Sequence, residues 1–254
     1  REGSTMCRSE SRRLTFYIAV YCLALAAVLI LLYALFSAVS PPRAAHAAQF
    51  SGKAAEQVQV VIDAGHGGRD GGATGVTGLV EKDLNLEIAS LLCDMLHAVG
   101  KTTRMTRTAD SLACDENDPA LRGRLKQTDL KNRVLLAEAN PGAQFISIHM
   151  NNFPVEKYHG LQVYYSPHAE TSRTLAACIQ KNAAALLQPD NTRQIKAAGS
   201  NIFLLDRIRT TAVLVECGFL SNRAESEKLA DAVYRKQLAL ILAVSLLQNP
   251  GDMS

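Results

Sequence analysis

Four side chains have the types and settings that metal-assisted hydrolysis requires: His66 in Asp63-Ala64-Gly65-His66-Gly67-Gly68, Glu81, His149 in Ser147-Ile148-His149-Met150-Asn151-Asn152, and Glu216 in Leu214-Val215-Glu216-Cys217-Gly218-Phe219. A catalytic zinc takes three protein ligands of the His and carboxylate type and keeps one position open for water. Two His and one Glu meet that stoichiometry. The remaining carboxylate then has separate work, because the attacking water must lose a proton and the departing group must gain one. Spacing alone does not settle which glutamate ligates. Glu216 is the preferred base, since it ends an apolar strand, where desolvation raises a carboxyl pKa and a nearby cation lowers it. Glu81 lies in a polar segment at a helix start, suited to reaching a metal.

Taken singly, each residue has a plain structural alternative: His66 as a turn residue, Glu81 as a helix-dipole partner, and His149 as a satisfied strand-end histidine. Glu216 resists that reading, because a carboxylate ending a buried apolar strand needs a partner. Their convergence favours one site over four coincidences. His46, His97, His159 and His168 are weaker candidates; the first two are expected at the surface, and His159 is the nearest of them to a groove. The glycine-rich stretch 65–78 lacks the Gly-Lys-Ser/Thr ending of a phosphate loop and does not enter a helix directly, so nucleotide binding is set aside.

The elements that must position these residues follow from periodicity. Short β-branched or apolar runs predict strands at 58–63, 102–106, 145–149, 160–165 and 212–216. Leu84, Ile88, Leu91, Leu92, Met95, Leu96 and Val99 recur at helical spacing and stop at Gly100. Further helices are expected over 130–139, beginning near Pro119, over 171–187, and from about Glu225 to Gln248. Strands alternating with helices imply a single α/β domain: a mostly parallel or mixed twisted sheet of about five to six strands flanked by helices. In such sheets ligands gather beyond the carboxyl ends of parallel strands. His66 follows the first strand, His149 closes the third and Glu216 closes the fifth; the glycine-rich loop returns Glu81 to the same edge.

Ahead of this domain, residues 14–39 are apolar or small and uncharged, a run able to cross a hydrocarbon core of about 30 Å as a transmembrane helix. Arg8, Arg12 and Arg13 precede it and would hold the flank 1–13 in the cytoplasm. A secretory signal is the alternative, with Ala45-His46-Ala47-Ala48 as a cleavage pattern, but the apolar run exceeds the usual h-region of about 7–15 residues. Either reading exports the domain at 58–250, with 40–57 as a tether rich in Ala, Pro, Ser and Gly. The residues before Met6 are given no role, and no internal repeat or separate binding module is expected. Net charge is only +3, with several positive groups in the cytoplasmic flank, which argues against a nucleic-acid partner. The six cysteines include no CxxC pair and are expected to be mostly buried free thiols.

At these residues the sequence resembles the zinc-dependent N-acetylmuramoyl-L-alanine amidases of the type-3 family, which hydrolyse bacterial cell walls. The matching blocks run in order: Val61 to Gly68, Glu81-Lys82-Asp83-Leu84-Asn85-Leu86, Thr106-Arg107, Arg133 through Asn140, Phe145 to Asn151, and Leu214 to Asn222. The resemblance implies zinc held by His66, Glu81 and His149, Glu216 as catalytic acid/base, and peptidoglycan as substrate, cut between N-acetylmuramic acid and L-alanine. Asn151 and Arg133 are candidates for orienting substrate or supporting the loops. Ala64 departs from a common proline, which changes loop stiffness and removes no ligand. The wording at Ile202-Phe203-Leu204-Leu205-Asp206 and the single anchor are most similar to sporulation amidases of endospore formers, which implies muramic δ-lactam formation in the spore cortex. The short segment between His149 and Glu216 leaves little room for an inserted blocking helix, so regulation is expected from a protein activator. The expected place is the outer side of the cytoplasmic membrane, or the space between forespore membranes, or the exterior if the segment is cleaved. A zinc peptidase or deacetylase, and a catalytically silent wall-binding protein, are the competing readings.

Overall fold

The strand Val60–Ala64 (β1) is buried at every residue, which explains why its sequence is an unbroken apolar run ended by Asp63. The computed structural model describes residues 57–249 and, ahead of them, Ala27 alone. The flank 1–13, the anchor 14–39 and nearly all of the tether lie outside the described residues. Among the described residues, no helix is long and apolar enough to cross a membrane.

β1 is followed by α1 (Glu81–Ala98), β2 (Thr103–Met105), a 3-10 turn at Pro119–Leu121, α2 (Leu125–Glu138) and β3 (Gln144–Asn151). The chain continues through β4 (Gln162–Tyr165), α3 (Glu170–Leu186), β5 (Lys196–Ala197), α4 (Phe203–Arg207), β6 (Ala212–Phe219), α5 (Arg223–Ala230) and α6 (Ala232–Gln248). The sheet order is β2-β1-β3-β6-β4-β5. The pairs β1–β2, β1–β3 and β3–β6 are parallel, whereas β4 runs antiparallel to β6 and carries β5 parallel to itself. The sheet is therefore mixed, with the three strands that bear or precede His66, His149 and Glu216 adjacent and parallel.

Strand alternation divides the labour between the two faces. Ile62, Ile146, Ile148, Val213 and Val215 belong to one cluster with Leu92 of α1, Ile179 of α3 and Leu242 of α6, all fully buried. Shortening one of these to Ala would cost about 2–5 kcal/mol. The opposite face begins apolar, with Val61, Phe145 and Leu214 packed against Ala137 of α2 and Leu204 and Leu205 of α4. Further along the same strands it becomes polar: Asp63 is registered with Ser147, and His149 with Glu216, which in turn faces Gln162.

Helix α1 starts with Glu81 and Asp83 in its first turn, where negative charge suits the helix dipole, and has no side-chain N-cap. It stops at Gly100, whose φ of 78° lets Lys101 N reach Leu96 O at 2.9 Å. Three local expectations are corrected. The helix expected from Pro119 is a 3-10 turn, then α2 from Leu125. The C-terminal helix is two helices, because Asp231 leaves helical geometry at ψ 121° and its side chain caps α6 by accepting from Val233 N. Of the described cysteines, all four are free thiols, but only Cys217 is fully buried; Cys93, Cys114 and Cys178 are half-buried.

Candidate metal and catalytic site

Glu81 is the hub of the site. Its Oε1 lies 3.2 Å from His66 Nε2 and 3.1 Å from His149 Nδ1, and also accepts from Met150 N at 3.1 Å. Its Oε2 accepts from Ala73 N at 2.8 Å, which fixes the carboxylate. One ligand atom each from His66, Glu81 and His149 falls within a 4.8 Å span, and the two rings meet edge to face with centroids 5.0 Å apart. Burial opposes the Glu81 charge, yet His149 and His66 hold its carboxyl well below the usual carboxylate range. Burial likewise opposes the His66 cation, and Glu81 with Asp70 raises the imidazole above its ordinary value.

Such a cluster fits a metal better than it fits itself. A buried carboxylate facing two imidazole nitrogens is the donor set of a catalytic zinc centre. Behind His66, Asp70 Oδ2 stands 3.1 Å from Nδ1, close enough for charge attraction though out of line for a hydrogen bond; a small turn of the ring would make it the carboxylate–histidine arrangement that orients a metal-bound imidazole. Lys126 Nζ lies 3.4 Å from the same oxygen.

The loop carrying His66 is unusual backbone held in place by buried cations. His66 is the one non-glycine with positive φ among the described residues, at 61°. This left-handed conformation is uncommon for a residue with a Cβ. Arg133 stabilises it by donating Nη2 to His66 O at 2.7 Å and Nη1 to Ala64 O at 2.8 Å. The same guanidinium pairs with Asp63 at 2.7 Å and with Asp129 at 3.0 Å. All its N–H groups are thereby engaged at 1% exposure, so it supports the loop and has no donor left for substrate. Burial would raise Asp63, but Arg133, with Ser147, His149 and Thr106, holds it below its ordinary value.

Arg107 adds Nε to Ala64 O at 2.9 Å and Nη2 to Gly65 O at 3.1 Å. Asn85, one turn after Glu81, also donates to Gly65 O at 3.1 Å, and Lys82 donates to Gly68 O at 2.9 Å. Two glycines are required by contact. A Cβ on Gly65 would stand 2.3 Å from His149 ring atoms, and one on Gly72, already at φ 67°, would stand 2.5 Å from Glu81 Oε2.

Glu216 is different in kind. It sits across from His149 in the β3–β6 register, half-buried, with its Oε2 sealed from solvent and without a hydrogen-bond partner. Burial pushes its carboxyl up to about 7, the neighbouring Glu81 charge adding to this against the imidazoles. A carboxyl poised there can exchange a proton near neutrality. Asn151, at the end of β3, is half-buried and its carbonyl accepts from Leu220 N at 2.8 Å; its side-chain amide makes no hydrogen bond among the described residues.

The structure thus brings His66, Glu81, His149 and Glu216 to one sheet edge, places Asn151 beside them and puts Arg133 beneath. The weaker histidines stay apart from the cluster: His97 bonds Thr103 at 2.7 Å and His168 bonds Asp206 O at 2.9 Å. His159 contributes its carbonyl to Arg193 at 2.6 Å. Sequence reasoning missed Asp70, Lys82 and Asn85. Asp70 carried a usable signal, a carboxylate four residues after a glycine-loop histidine; Lys82 and Asn85 are ordinary polar residues of a helix until the loop is folded over them.

Residues 60–248 match the family described as N-acetylmuramoyl-L-alanine amidase. The germination-specific N-acetylmuramoyl-L-alanine amidase of Bacillus subtilis (strain 168) is 35% identical over 190 residues, 74% of this chain and 78% of that protein. Among solved structures, the CwlD amidase of Clostridioides difficile in complex with the GerS lipoprotein superposes with a TM-score of 0.71 at 33% identity, covering 76% of this chain and 98% of that one. The amidase AmiC2 of Nostoc punctiforme gives 0.64 at 30% identity over 77% and 98%. With this likeness spanning the whole sheet and every residue of the cluster, the chain belongs to the type-3 N-acetylmuramoyl-L-alanine amidases and is a peptidoglycan amide hydrolase near the sporulation members of that family.

Proposed function

We propose that this enzyme uses zinc to cut the amide between the lactyl group of N-acetylmuramic acid and L-alanine, and that it acts in spore cortex maturation, where stem-peptide removal leads to muramic δ-lactam. The observation that carries the catalytic part is the pairing of a two-His, one-Glu donor set with a separate, half-buried carboxyl on the adjacent strand, one of whose oxygens is sealed from solvent without a hydrogen-bond partner.

His66, Glu81 and His149 would hold the ion, which when bound supplies Lewis-acid polarisation of the scissile carbonyl and of the attacking water. Asp70 stands by charge on the Nδ1 side of the His66 ring, whose Nε2 faces the cluster. Glu216 takes the proton of the attacking water and delivers it to the alanine nitrogen as the C–N bond breaks. Its environment suits both halves, since a carboxyl near neutrality is neither too weak a base nor too weak an acid. Asn151, with an uncommitted amide at the strand end, is suited to orienting the substrate.

The cortex role is supported by the germination-specific relative and the CwlD structure. In the latter the amidase is in complex with a lipoprotein, which supports a protein partner here as well. We place the catalytic domain outside the cytoplasmic membrane, held by residues 14–39 through the tether.

Digestion of purified peptidoglycan by the full chain, followed by mass analysis, tests the reaction. Stem peptides with a free alanine amino terminus are expected. Stem peptides that remain attached, with altered acetyl groups or internal peptide cuts, would overturn the assignment in favour of a deacetylase or peptidase.

A further inference from the structure

On the far side of Glu216 from the histidines, β4 presents Gln162 in direct register with Glu216. Gln162 is buried and held at both ends of its amide: the nitrogen donates to Gln194 O, and Oε1 accepts from Arg193 Nη1 at 2.7 Å. Arg193 is therefore set one hydrogen bond beyond a residue that lies one strand spacing, about 4.8 Å, from Glu216.

The guanidinium of Arg193 is held like a fixed tool. Its carbon stacks 4.4 Å from the centroid of Phe219 and 5.7 Å from that of Tyr158, and Nε donates to His159 O at 2.6 Å. Phe219 is only three residues beyond Glu216 on the same strand, so the platform under Arg193 is an extension of the catalytic strand. Yet among the described residues no carboxylate pairs with Arg193, and no hydrogen bond uses its Nη2. Lys157 lies 5.6 Å from the Tyr158 ring, so a second cation borders the same platform. A half-buried, pre-oriented guanidinium without an acid is a receptor for a planar anion.

We infer that Arg193 binds a carboxylate of the stem peptide, on the leaving-group side of the scissile amide. This rests on the amidase reading, in which Glu216 hands its proton to the alanine nitrogen, so that the peptide continues from Glu216 over Gln162 toward Arg193. In peptidoglycan the residue after alanine is a γ-linked D-glutamate whose α-carboxyl is either free or amidated. The free carboxylate matches the guanidinium, and the amide does not. Arg193 would then select stem peptides by charge while the metal cluster and Glu216 cut them.

The test is titration calorimetry of the purified full chain with the peptide L-alanyl-γ-D-glutamyl-lysine and with the same peptide amidated at the glutamate α-carboxyl. The wild type should bind the acid at least about tenfold more tightly than the amide, as expected of a charge-assisted contact. Arg193→Gln should bind the two alike and keep the wild-type affinity for the amide, and Arg193→Lys should recover part of the preference. Equal binding of both peptides by the wild type, or an equal loss for both in Arg193→Gln, would overturn the inference and leave Arg193 as a scaffold for the 152–160 loop. Release of alanine amino groups from peptidoglycan is scored separately. Its absence would remove the amidase reading, while the binding ratio still decides on Arg193.

Discussion

His149 and Glu216 stand opposite one another on adjacent parallel strands, His149 two residues before the end of β3 and Glu216 three before the end of β6. The pairing joins a metal-ligand candidate to a proton carrier through the most rigid spacing a protein offers, that between two hydrogen-bonded strands. It also implies a clean separation of roles, since one residue can be altered without unfolding the other's strand.

Glu216→Gln keeps the size and hydrogen-bonding shape of the side chain and removes its basicity. Turnover should fall on the order of a hundred- to ten-thousandfold, while zinc content of the purified protein stays at the wild-type level. Loss of zinc together with activity would instead make Glu216 a ligand.

The pH profile of the wild type should show a limb belonging to this carboxyl. Catalysis needs it deprotonated to accept from water, so the rate should rise with pH as it ionises. Burial sets the intrinsic value at about 7, and a bound cation nearby would draw the limb lower. Glu216→Gln should lack the limb in whatever activity remains, as measured by single-turnover rates across pH.

Asp70→Ala removes the carboxylate 3.1 Å behind His66 without touching a ligand. Zinc affinity should drop roughly ten- to a hundredfold, read by competition with a chromophoric chelator. An unchanged affinity would mean that the loop backbone alone fixes the ring.

Arg133→Met leaves Asp63 buried with its charge uncompensated and frees the carbonyls of Ala64 and His66. Unfolding free energy at neutral pH should fall by about 3–5 kcal/mol. In the wild type the Asp63 carboxyl sits below its ordinary 3.8, so its contribution is present above that value and lost as pH falls through the depressed one. The variant should lose that acid-side dependence, which denaturant titrations at neutral pH and well below 3.8 would reveal.

Gly65→Ala forces a methyl to within 2.3 Å of the His149 ring. The ring must swing aside, so metal content and turnover should both collapse, with a stability loss of about 1–3 kcal/mol. Retained activity would show that the loop can retreat from β3.

Much of this site was legible because strand periodicity exposes itself in sequence. An unbroken run such as Val60-Val61-Ile62 marks a strand buried on both faces, and a polar residue at its end marks the edge where ligands collect. A glycine loop and two polar residues late in apolar runs therefore pointed to His66, His149 and Glu216, although both strands run on past the expected ends, β3 to Asn151 and β6 to Phe219. Direction was less legible: β4 runs antiparallel to β6, and no local property of Gln162 to Tyr165 encodes the pairing partner. β5 has two residues and α4 five, too short for a period to register. Arg133 illustrates the last kind of loss. It looks like any helix-surface arginine until its long-range partners Asp63, Ala64 and His66 are brought within reach by the sheet.

Because β4 is reversed, the loop that meets Glu216 from that side is the one entering the strand. Residues 152–160 therefore run from Asn151 on β3 to Gly160, whose N donates to Glu225 at 2.9 Å, and are tied between by Ser221 to Phe153 N, Asn222 to Glu156 O and Arg193 to His159 O. This segment, with Phe153 and Tyr158 partly exposed, carries none of the proposed ligands. It can lengthen, shorten or change its side chains through evolution or engineering while the reaction centre stays as it is, much as an interchangeable jaw fits one handle.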